Sequence, residues 1–107
     1  MNKIGSKVIC VSHADKVYAY IFGHGIYEGP KQPKDFPIDQ QPAGMKGRYI
    51  VEAGKDNPCI KLEDGNYVWG CECWWDIESK VEEYLTGLAI KKLDIKEIRN
   101  KWMKEIN

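Results

Sequence analysis

Residues 57–75 read Asn-Pro-Cys-Ile-Lys-Leu-Glu-Asp-Gly-Asn-Tyr-Val-Trp-Gly-Cys-Glu-Cys-Trp-Trp, and this stretch decides the fold. It holds three of the four tryptophans and three of the four cysteines of the chain. Asp64-Gly65 is a strong hairpin signal, because these residue types tolerate the backbone of a tight turn between two strands. We predict a hairpin of 59–62 with 67–75. Its crowded aromatic rings form either the centre of the core or the floor of a binding site.

The chain before this hairpin predicts three further strands and a long loop. Residues 7–12 and 17–22 are rich in β-branched and aromatic residues, as strands are. Gly23-His24-Gly25 predicts a β-bulge or bend, because glycine tolerates positive φ. Residues 48–52 predict another strand. The segment 30–47 contains four of the five prolines, and we predict a loop there, extended in parts and long enough to be functional.

Beyond Trp75 the apolar residues recur about every 3.6 positions, which predicts two helices. Asp76 is the expected N-cap of the first helix, and Gly87 is its expected end. Asp94 followed by Glu97 predicts a capping box at the start of the second.

This order of elements indicates the fold class. Strands followed by helices favour an α+β domain, with an antiparallel β-sheet or small SH3-like barrel of five or six strands followed by two C-terminal helices. At 107 residues we expect a single domain, with the sheet or barrel over 1–75 and the helices over 76–107.

Composition excludes several classes of function. The chain has 16 basic and 16 acidic residues, so its formal net charge is zero. A protein that binds nucleic acid through phosphates usually has a basic excess, so nucleic acid is an unfavoured partner, although a local basic patch stays open. No apolar run approaches the ~20 residues of a membrane span, and no signal peptide is visible at the N-terminus. We expect a cytoplasmic protein with reduced cysteines and no membrane partner.

The aromatic strand end is the first candidate binding site. If 67–75 is one strand, tryptophans lie on both of its faces, and packing in the core explains them most simply. The functional alternative places Trp74 or Trp75 at the strand end as a platform for a flat ligand such as a nucleobase. Glu72 would then be a polar anchor beside it.

Four other residues complete the predicted ligand site. Arg48 and Arg99 are the only arginines of the chain, and their planar forks suit bidentate binding of phosphate. His24 lies within the glycine-rich bulge and Tyr27 follows it, and both would supply polar contacts at the rim. The loop 30–47 would act as a lid.

The cysteines raise the question of a metal site. Cys71 and Cys73, joined by Cys59, form the set that would hold a zinc ion if any did. Their spacing differs from the two-residue gap of zinc knuckles, and reduced cysteines that pack as small apolar residues explain the pattern. We therefore predict no metal and no cofactor. No local signature joins a nucleophile to a histidine, so we predict a protein that is not an enzyme.

The two predicted helices differ in charge, since acidic residues dominate 76–83 and basic residues dominate 91–104. Oppositely charged helices can pair across a two-fold axis, so we expect a homodimer or a higher homo-oligomer. The alternative is that both faces are simply solvated.

Three segments carry a resemblance to a known group of proteins. They are Phe-Gly-His-Gly-Ile-Tyr-Glu-Gly at 22–29, Asn-Pro-Cys-Ile-Lys-Leu-Glu-Asp-Gly at 57–65, and Val-Trp-Gly-Cys-Glu-Cys-Trp-Trp at 68–75. Together they resemble small proteins encoded by phages and prophages of Firmicutes. The resemblance covers most of the sheet region and none of the helices. It implies a counter-defence factor, similar to the anti-Thoeris and anti-CBASS sponges that sequester nucleotide immune signals or to another inhibitor of host defence. It transfers no site residue.

These observations lead to one favoured hypothesis and three alternatives. The favoured one is sequestration of a small nucleotide-type signal. The first alternative is inhibition of a host defence protein through the 30–47 loop, with Phe36 and Ile38 as anchors, in which case deletion of 31–44 should leave stability nearly unchanged. The others are a small-barrel nucleic-acid module and a cysteine-bound zinc module.

Overall fold

The computed structural model describes residues 3–106, and a six-stranded β-sheet is at its centre. The strands are β1 (Lys7–Ala14), β2 (Tyr18–Lys31), β3 (Asn57–Leu62), β4 (Tyr67–Trp69), β5 (Trp74–Ile77) and β6 (Ala89–Lys92). The helices are α1 (Gly44–Glu52), α2 (Glu78–Tyr84) and α3 (Ile95–Ile106). Three 3₁₀ turns, Pro33–Asp35, Ile38–Gln40 and Gly70–Glu72, connect them.

The sheet is open and mostly antiparallel. Its strand order is β4-β3-β2-β1-β5, and β6 pairs in parallel with the first four residues of β2. Within residues 3–106 the two ends of this order, β4 and β5, do not pair, so the alternative of a closed SH3-like barrel is wrong. The α+β class with an antiparallel sheet is confirmed. Three helices are present, of which only α3 is C-terminal to the whole sheet.

Each face of the sheet is buried against one helix. On one face, side chains of four strands pack with α3, and these are Val8, Cys10, Phe22, Ile60, Leu62, Val68 and Ile95. On the other face a smaller cluster packs with α2, and it consists of Ile9, Val11, Ile21 and Val81. Alternate residues of β1 and β2 supply the two clusters, as the two-residue period of a strand requires.

The hairpin around Asp64-Gly65 and the bulge near Gly23 are both confirmed. The Leu62 N–H donates to the carbonyl of Asn66, and Gly65 has a φ of 91°, as a tight turn between β3 and β4 requires. In the pairing of β1 with β2, Cys10 lies opposite Gly23 but Val11 lies opposite Ile21. One residue of β2 is therefore extra at this point, which is the definition of a β-bulge.

The strand predicted at 48–52 is wrong, because these residues form the second half of α1. A run of Tyr-Ile-Val has a strand propensity that tertiary contacts override here. Gly47 of this helix is packed so closely on Pro42 that a Cβ would lie 2.6 Å from the proline carbonyl carbon. The helix ends before Gly54, whose φ of 63° is the left-handed conformation of a helix stop.

The loop predicted over 30–47 is also more structured than expected. Strand β2 continues to Lys31, two 3₁₀ turns follow, and α1 begins at Gly44. Pro33 is completely buried, and Phe36 packs edge-on against the rings of Tyr67 and Trp69. The segment packs on the core, and its prolines restrict the backbone to these turns.

The single strand predicted over 67–75 is interrupted by the turn Gly70–Glu72. Gly70 lies against the Pro58 ring, where an added Cβ would be 2.8 Å from the proline Cγ. The Cys71 N–H donates to the side-chain oxygen of Asn57 over 2.9 Å, which holds the break in place. The alternation of faces that a continuous strand would impose is therefore lost after Trp69.

The helix starts after residue 75 were predicted with unequal success. Asp76 is not an N-cap, because it lies in β5 and its carboxylate accepts from the N–H of Ile77. Asp94 does cap α3, since its Oδ1 accepts from the Lys96 N–H over 2.8 Å. Strand β6 was not predicted, because Ala-Ile-Lys-Lys has no alternation and forms only by pairing with β2.

The Gly47–Pro42 contact gives a test of α1. In an ordinary helix interior, Gly→Ala stabilises by about 1 kcal/mol. Here we expect Gly47→Ala to lower the free energy of unfolding by about 1–3 kcal/mol, because the methyl group has no room beside the Pro42 carbonyl. Urea unfolding of both proteins measures the difference. The control is Lys46→Ala on the exposed side of the same helix, expected to stay within ~0.5 kcal/mol. An increase in stability for Gly47→Ala would contradict the packing described.

Candidate functional site

A cleft lies between α1, α3 and the turn Ile38–Gln40. Its volume is about 510 Å³. It is lined by Ile38, Asp39, Gln41, Pro42, Ala43, Gly44, Arg48, Val51, Glu52, Lys96, Arg99, Asn100 and Met103. Helical spacing explains this set, because residues three, four and seven apart share one face of a helix. Ligand sites in proteins are typically clefts of ~300–1,000 Å³ with mostly apolar walls, so this cleft is the candidate site.

The cleft combines apolar walls with charged groups of both signs. Arg48 is exposed, and its guanidinium forms no hydrogen bond or ion pair with any other residue in the described range 3–106. The Lys96 ammonium lies 3.3 Å from the Asp39 carboxylate across the rim. Glu52 lies one helical turn beyond Arg48. The cleft thus offers one unengaged guanidinium, one ammonium that an incoming anion could share, and a carboxylate that could accept hydrogen bonds from an amine.

A buried ion pair forms the structural support of the cleft. Arg99 donates from Nε to Oε2 of Glu72 over 2.9 Å and from Nη2 to Oε1 over 2.8 Å. Both side chains are almost completely buried. Arg99 also donates to the carbonyl oxygens of Asp39 and Tyr67. Four of its five N–H groups are therefore engaged, which limits what remains for a ligand.

The Glu72 carboxylate accepts from backbone as well as from Arg99. The Trp69 N–H donates to Oε1 over 3.1 Å. Burial raises the pKa of Glu72 above its ordinary value, and the hydrogen bonds from Arg99 act in the opposite direction. The predicted role of Glu72 as an anchor for ligand beside the indole rings does not fit this geometry, because its two oxygens already bind protein donors.

None of the four tryptophans lines the cleft. Trp69 is completely buried, and its indole N–H donates to the Gln40 carbonyl over 2.7 Å. Trp74 is 44 % exposed and meets the Tyr84 ring edge-on. Trp75 is stacked on Tyr27 with 4.8 Å between ring centroids. Neither Trp74 nor Trp75 lines any of the three cavities found in residues 3–106. The interruption at 70–72 turns the strand end away from α1 and separates it from the cleft.

His24 belongs to a different surface. Its Nδ1 lies 2.7 Å from Oε2 of Glu78, which links β2 to the start of α2. It lies between two smaller cavities of about 330 and 290 Å³. His24 and Tyr27 were predicted at the rim of the same site as Arg48 and Arg99. The structure brings the two arginines together at the cleft and leaves His24 and Tyr27 outside it.

The cysteines do not form a recognisable metal site. No group of three or more His, Cys, Asp or Glu side chains within residues 3–106 is arranged to hold a metal ion. Burial raises the pKa of Cys59 to about 12 and that of Cys71 to about 11. A hydrogen bond with the Cys10 thiol and burial raise the pKa of Cys73 well above its ordinary value. Thiols in such environments are poor nucleophiles at neutral pH.

Several cleft residues were missed at the sequence level. Lys96, Asn100 and Met103 follow a helical period with Arg99, so they could have been grouped with it once α3 was predicted. Val51 and Glu52 could not, because their segment was predicted as a strand.

In the part of the chain that the structure describes, no helix has the length and apolar character needed to cross a bilayer.

The Glu72–Arg99 pair gives the second test. We expect Glu72→Gln to lower the free energy of unfolding by about 3–5 kcal/mol, because it leaves the Arg99 charge buried without its partner. The double variant Glu72→Gln/Arg99→Met should lose less than the sum of the two single variants, by at least ~1 kcal/mol. Glu28→Gln, which removes a partly exposed pair with Lys31, is the control and should cost under ~1 kcal/mol. Additive losses in urea unfolding would show that the pair is not coupled.

The raised pKa of Cys71 gives the third test. A shift from 9.0 to about 11 leaves about 100-fold less thiolate at neutral pH, since each pKa unit is a factor of ten. We expect iodoacetamide to alkylate Cys71 in the native protein about 100-fold more slowly than in the urea-unfolded protein. Mass spectrometry of digested samples taken over time measures both rates at the same residue. Rapid native alkylation of Cys71 would restore the hypothesis of a reactive thiol.

Comparison of this chain with models of protein families, with curated proteins and with solved structures finds no match. The resemblance to phage and prophage proteins therefore stays a prediction. The geometry of the cleft is the basis for the functional proposal below.

Proposed function

We propose that this protein binds a small nucleotide-type ligand in the cleft between α1 and α3 and sequesters it without chemical change. One observation carries the proposal. A cleft of about 510 Å³ combines apolar walls with an arginine that has no partner among residues 3–106. Such a combination can take a flat, weakly polar ring together with an anionic group.

The apolar walls suit the ring of such a ligand. Ile38 and Pro42 lie on one side, and Val51 of α1 and Met103 of α3 contribute the rest. The methionine side chain is flexible and its sulfur makes favourable contacts with aromatic rings, and a nucleobase is such a ring. Glu52 and Asn100 are the polar groups of the wall that can pair with the amino and carbonyl groups of a base.

The cations suit the phosphate. The planar guanidinium of Arg48 can bind two phosphate oxygens at once. Lys96 is held by Asp39 over 3.3 Å in the free protein, and a phosphate would compete for the same ammonium. Arg99 adds positive charge at the wall, although Glu72 compensates most of it. This arrangement revises the original hypothesis, because Arg48 keeps its proposed role and the indole platform is replaced by an aliphatic wall.

Sequestration needs no catalysis, since a protein in excess over a signal lowers its free concentration by mass action. The proposed biological setting is counter-defence in the host cytoplasm, by a phage or a mobile element. That setting rests on the resemblance of the segments 22–29, 57–65 and 68–75 alone. We also propose a homo-oligomer, because the segments 76–83 and 91–104 carry opposite charges. We propose a protein that is not an enzyme, because no sequence signature joins a nucleophile to a histidine.

A second candidate function is inhibition of a host protein through the same surface. Ile38 is 87 % exposed, Met45 is 78 % exposed and Tyr49 is 59 % exposed. Exposed apolar side chains at the rim of a cleft are typical of protein contacts. Phe36 is not one of these anchors, because it packs on Tyr67 and Trp69.

Deletion of residues 31–44 is not a clean test of the host-protein alternative. Residues 31–44 contain the Asp39 carbonyl, which accepts from Arg99, and the Gln40 oxygen, which accepts from the Tyr67 N–H over 2.7 Å. We therefore expect this deletion to destabilise the protein, contrary to the expectation of unchanged stability. Point variants are needed.

The fourth test is calorimetric titration with a panel of linear and cyclic nucleotides. We expect at least one to bind, and Arg48→Ala to weaken it about tenfold or more, since a charge-assisted hydrogen bond contributes roughly 1.5–3 kcal/mol. Lys101→Ala is the matched control, because Lys101 is an exposed cation of α3 outside the cleft. The affinity of this variant for the nucleotide should stay within about twofold of the wild-type value.

The variants also separate the two functions. If the partner is a host protein, Ile38→Glu should weaken its capture far more than Arg48→Ala does. If the ligand is a nucleotide, Arg48→Ala should weaken its binding more than Ile38→Glu does, because it removes the phosphate contact. Heat-unfolding curves of each variant must match the wild type. No heat signal from any nucleotide in the panel, with the variants folded, would count decisively against sequestration.

A further inference from the structure

A second feature of the molecule, far from the arginine cleft in sequence, is a cluster of rings where β1, β2 and β6 meet. The ring of His13 is stacked on that of Tyr20, with centroids 4.4 Å apart and planes 16° from parallel. The Tyr18 ring lies 6.1 Å from Tyr20. The Lys91 ammonium lies 4.2 Å from the centre of the Tyr18 ring. These four side chains are called the ring patch.

The ring patch lies on one face of the sheet. His13 is the partner of Tyr20 in the pairing of β1 with β2, and Lys91 is the partner of Tyr20 in the pairing of β6 with β2. Directly paired residues point to the same face, as do residues two apart such as Tyr18 and Tyr20. The intervening Ala19 is buried on the other face.

No helix of the described chain covers this part of the face. Strand β2 is 14 residues long, and its Phe22 is buried in the core that α3 covers. Tyr20 and Tyr18 come earlier on the strand, and both remain partly exposed, while His13 and Lys91 are exposed. The sheet therefore extends beyond its core and presents rings to solvent.

The local charge contrasts with the neutral total. Beside the rings, the turn 15–17 and the face of β6 that carries Lys91 contain two lysines, Lys16 and Lys91, against one carboxylate, Asp15. The Asp15 carboxylate accepts from the N–H groups of Val17 and Tyr18, over 2.8 and 2.7 Å, so it is used in the turn. Stacked rings flanked by lysines match the chemistry of unpaired bases joined by phosphates.

We propose that the ring patch binds single-stranded nucleic acid. An unpaired base extends the His13–Tyr20 stack on its exposed side, and a neighbouring base meets Tyr18. Lys16 and Lys91 contact the phosphates between them. A duplex is a poor ligand, because its bases are already stacked on each other and present only their edges. This site is separate from the arginine cleft and does not depend on the function proposed for it.

The test is fluorescence anisotropy of a labelled ten-residue oligothymidylate at about 50 mM and about 200 mM salt, since phosphate contacts lose affinity as salt rises. We expect salt-sensitive binding that Tyr20→Leu weakens about tenfold, because stacking on an aromatic ring contributes roughly that much per base. Tyr84→Leu is the matched control, because Tyr84 is an exposed tyrosine on α2, away from the patch. It should leave affinity unchanged.

Three further measurements keep the outcome decisive. Lys91→Gln removes a charge without touching a ring, and it should weaken binding and reduce the salt dependence even if Tyr20→Leu folds poorly. Arg48→Ala should leave oligonucleotide binding intact. Absence of binding at the lower salt, equal affinity for duplex or for inorganic polyphosphate, or equal losses in the Tyr20 and Tyr84 variants would each overturn the proposal.

Discussion

The buried ion pair between Glu72 and Arg99 is the constraint on which the arrangement of elements depends. Glu72 lies in the turn that interrupts the last hairpin strand, and Arg99 lies 27 residues later in α3. Through Arg99 the pair also holds the Asp39 carbonyl of the turn Ile38–Gln40 and the Tyr67 carbonyl of β4. A buried charge costs several kcal/mol unless it is fully paired, so these partners must assemble together. The proline-rich segment and α3 are thereby held against the turn Gly70–Glu72 and strand β4.

This dependence explains which parts of the fold the sequence could predict. The Asp64-Gly65 hairpin, the first two strands and the Asp94 cap are determined by neighbouring residues, and the structure confirms each of them. The helix α1, the turn at 70–72 and strand β6 depend on residues far away in the chain. Gly47 packs directly on Pro42, and β6 forms its only strand pairing in the described chain with β2. Local propensity carries no information about such partners.

The candidate site was predictable in its residue types more than in its position. Arg48 and Arg99 were singled out because guanidinium groups bind phosphate, and both line the cleft. The indole rings were assigned to the same site because they stand beside Glu72 in sequence. The break at Gly70 separates them, since Trp69 turns inward to the Gln40 carbonyl and Trp74 remains on the surface. Adjacency along a strand predicts a shared site only while the strand continues.

The same ion pair links stability to the proposed binding. Two walls of the cleft meet at the pair, because Arg99 belongs to α3 and donates to the Asp39 carbonyl of the turn Ile38–Gln40. A ligand that contacts these walls binds only the folded arrangement, so it should stabilise that arrangement in proportion to its affinity and concentration. The pair itself contributes little net energy compared with a well-packed apolar alternative. Its structural effect is to hold the turn Ile38–Gln40 on α3 through Arg99, and both elements line the cleft.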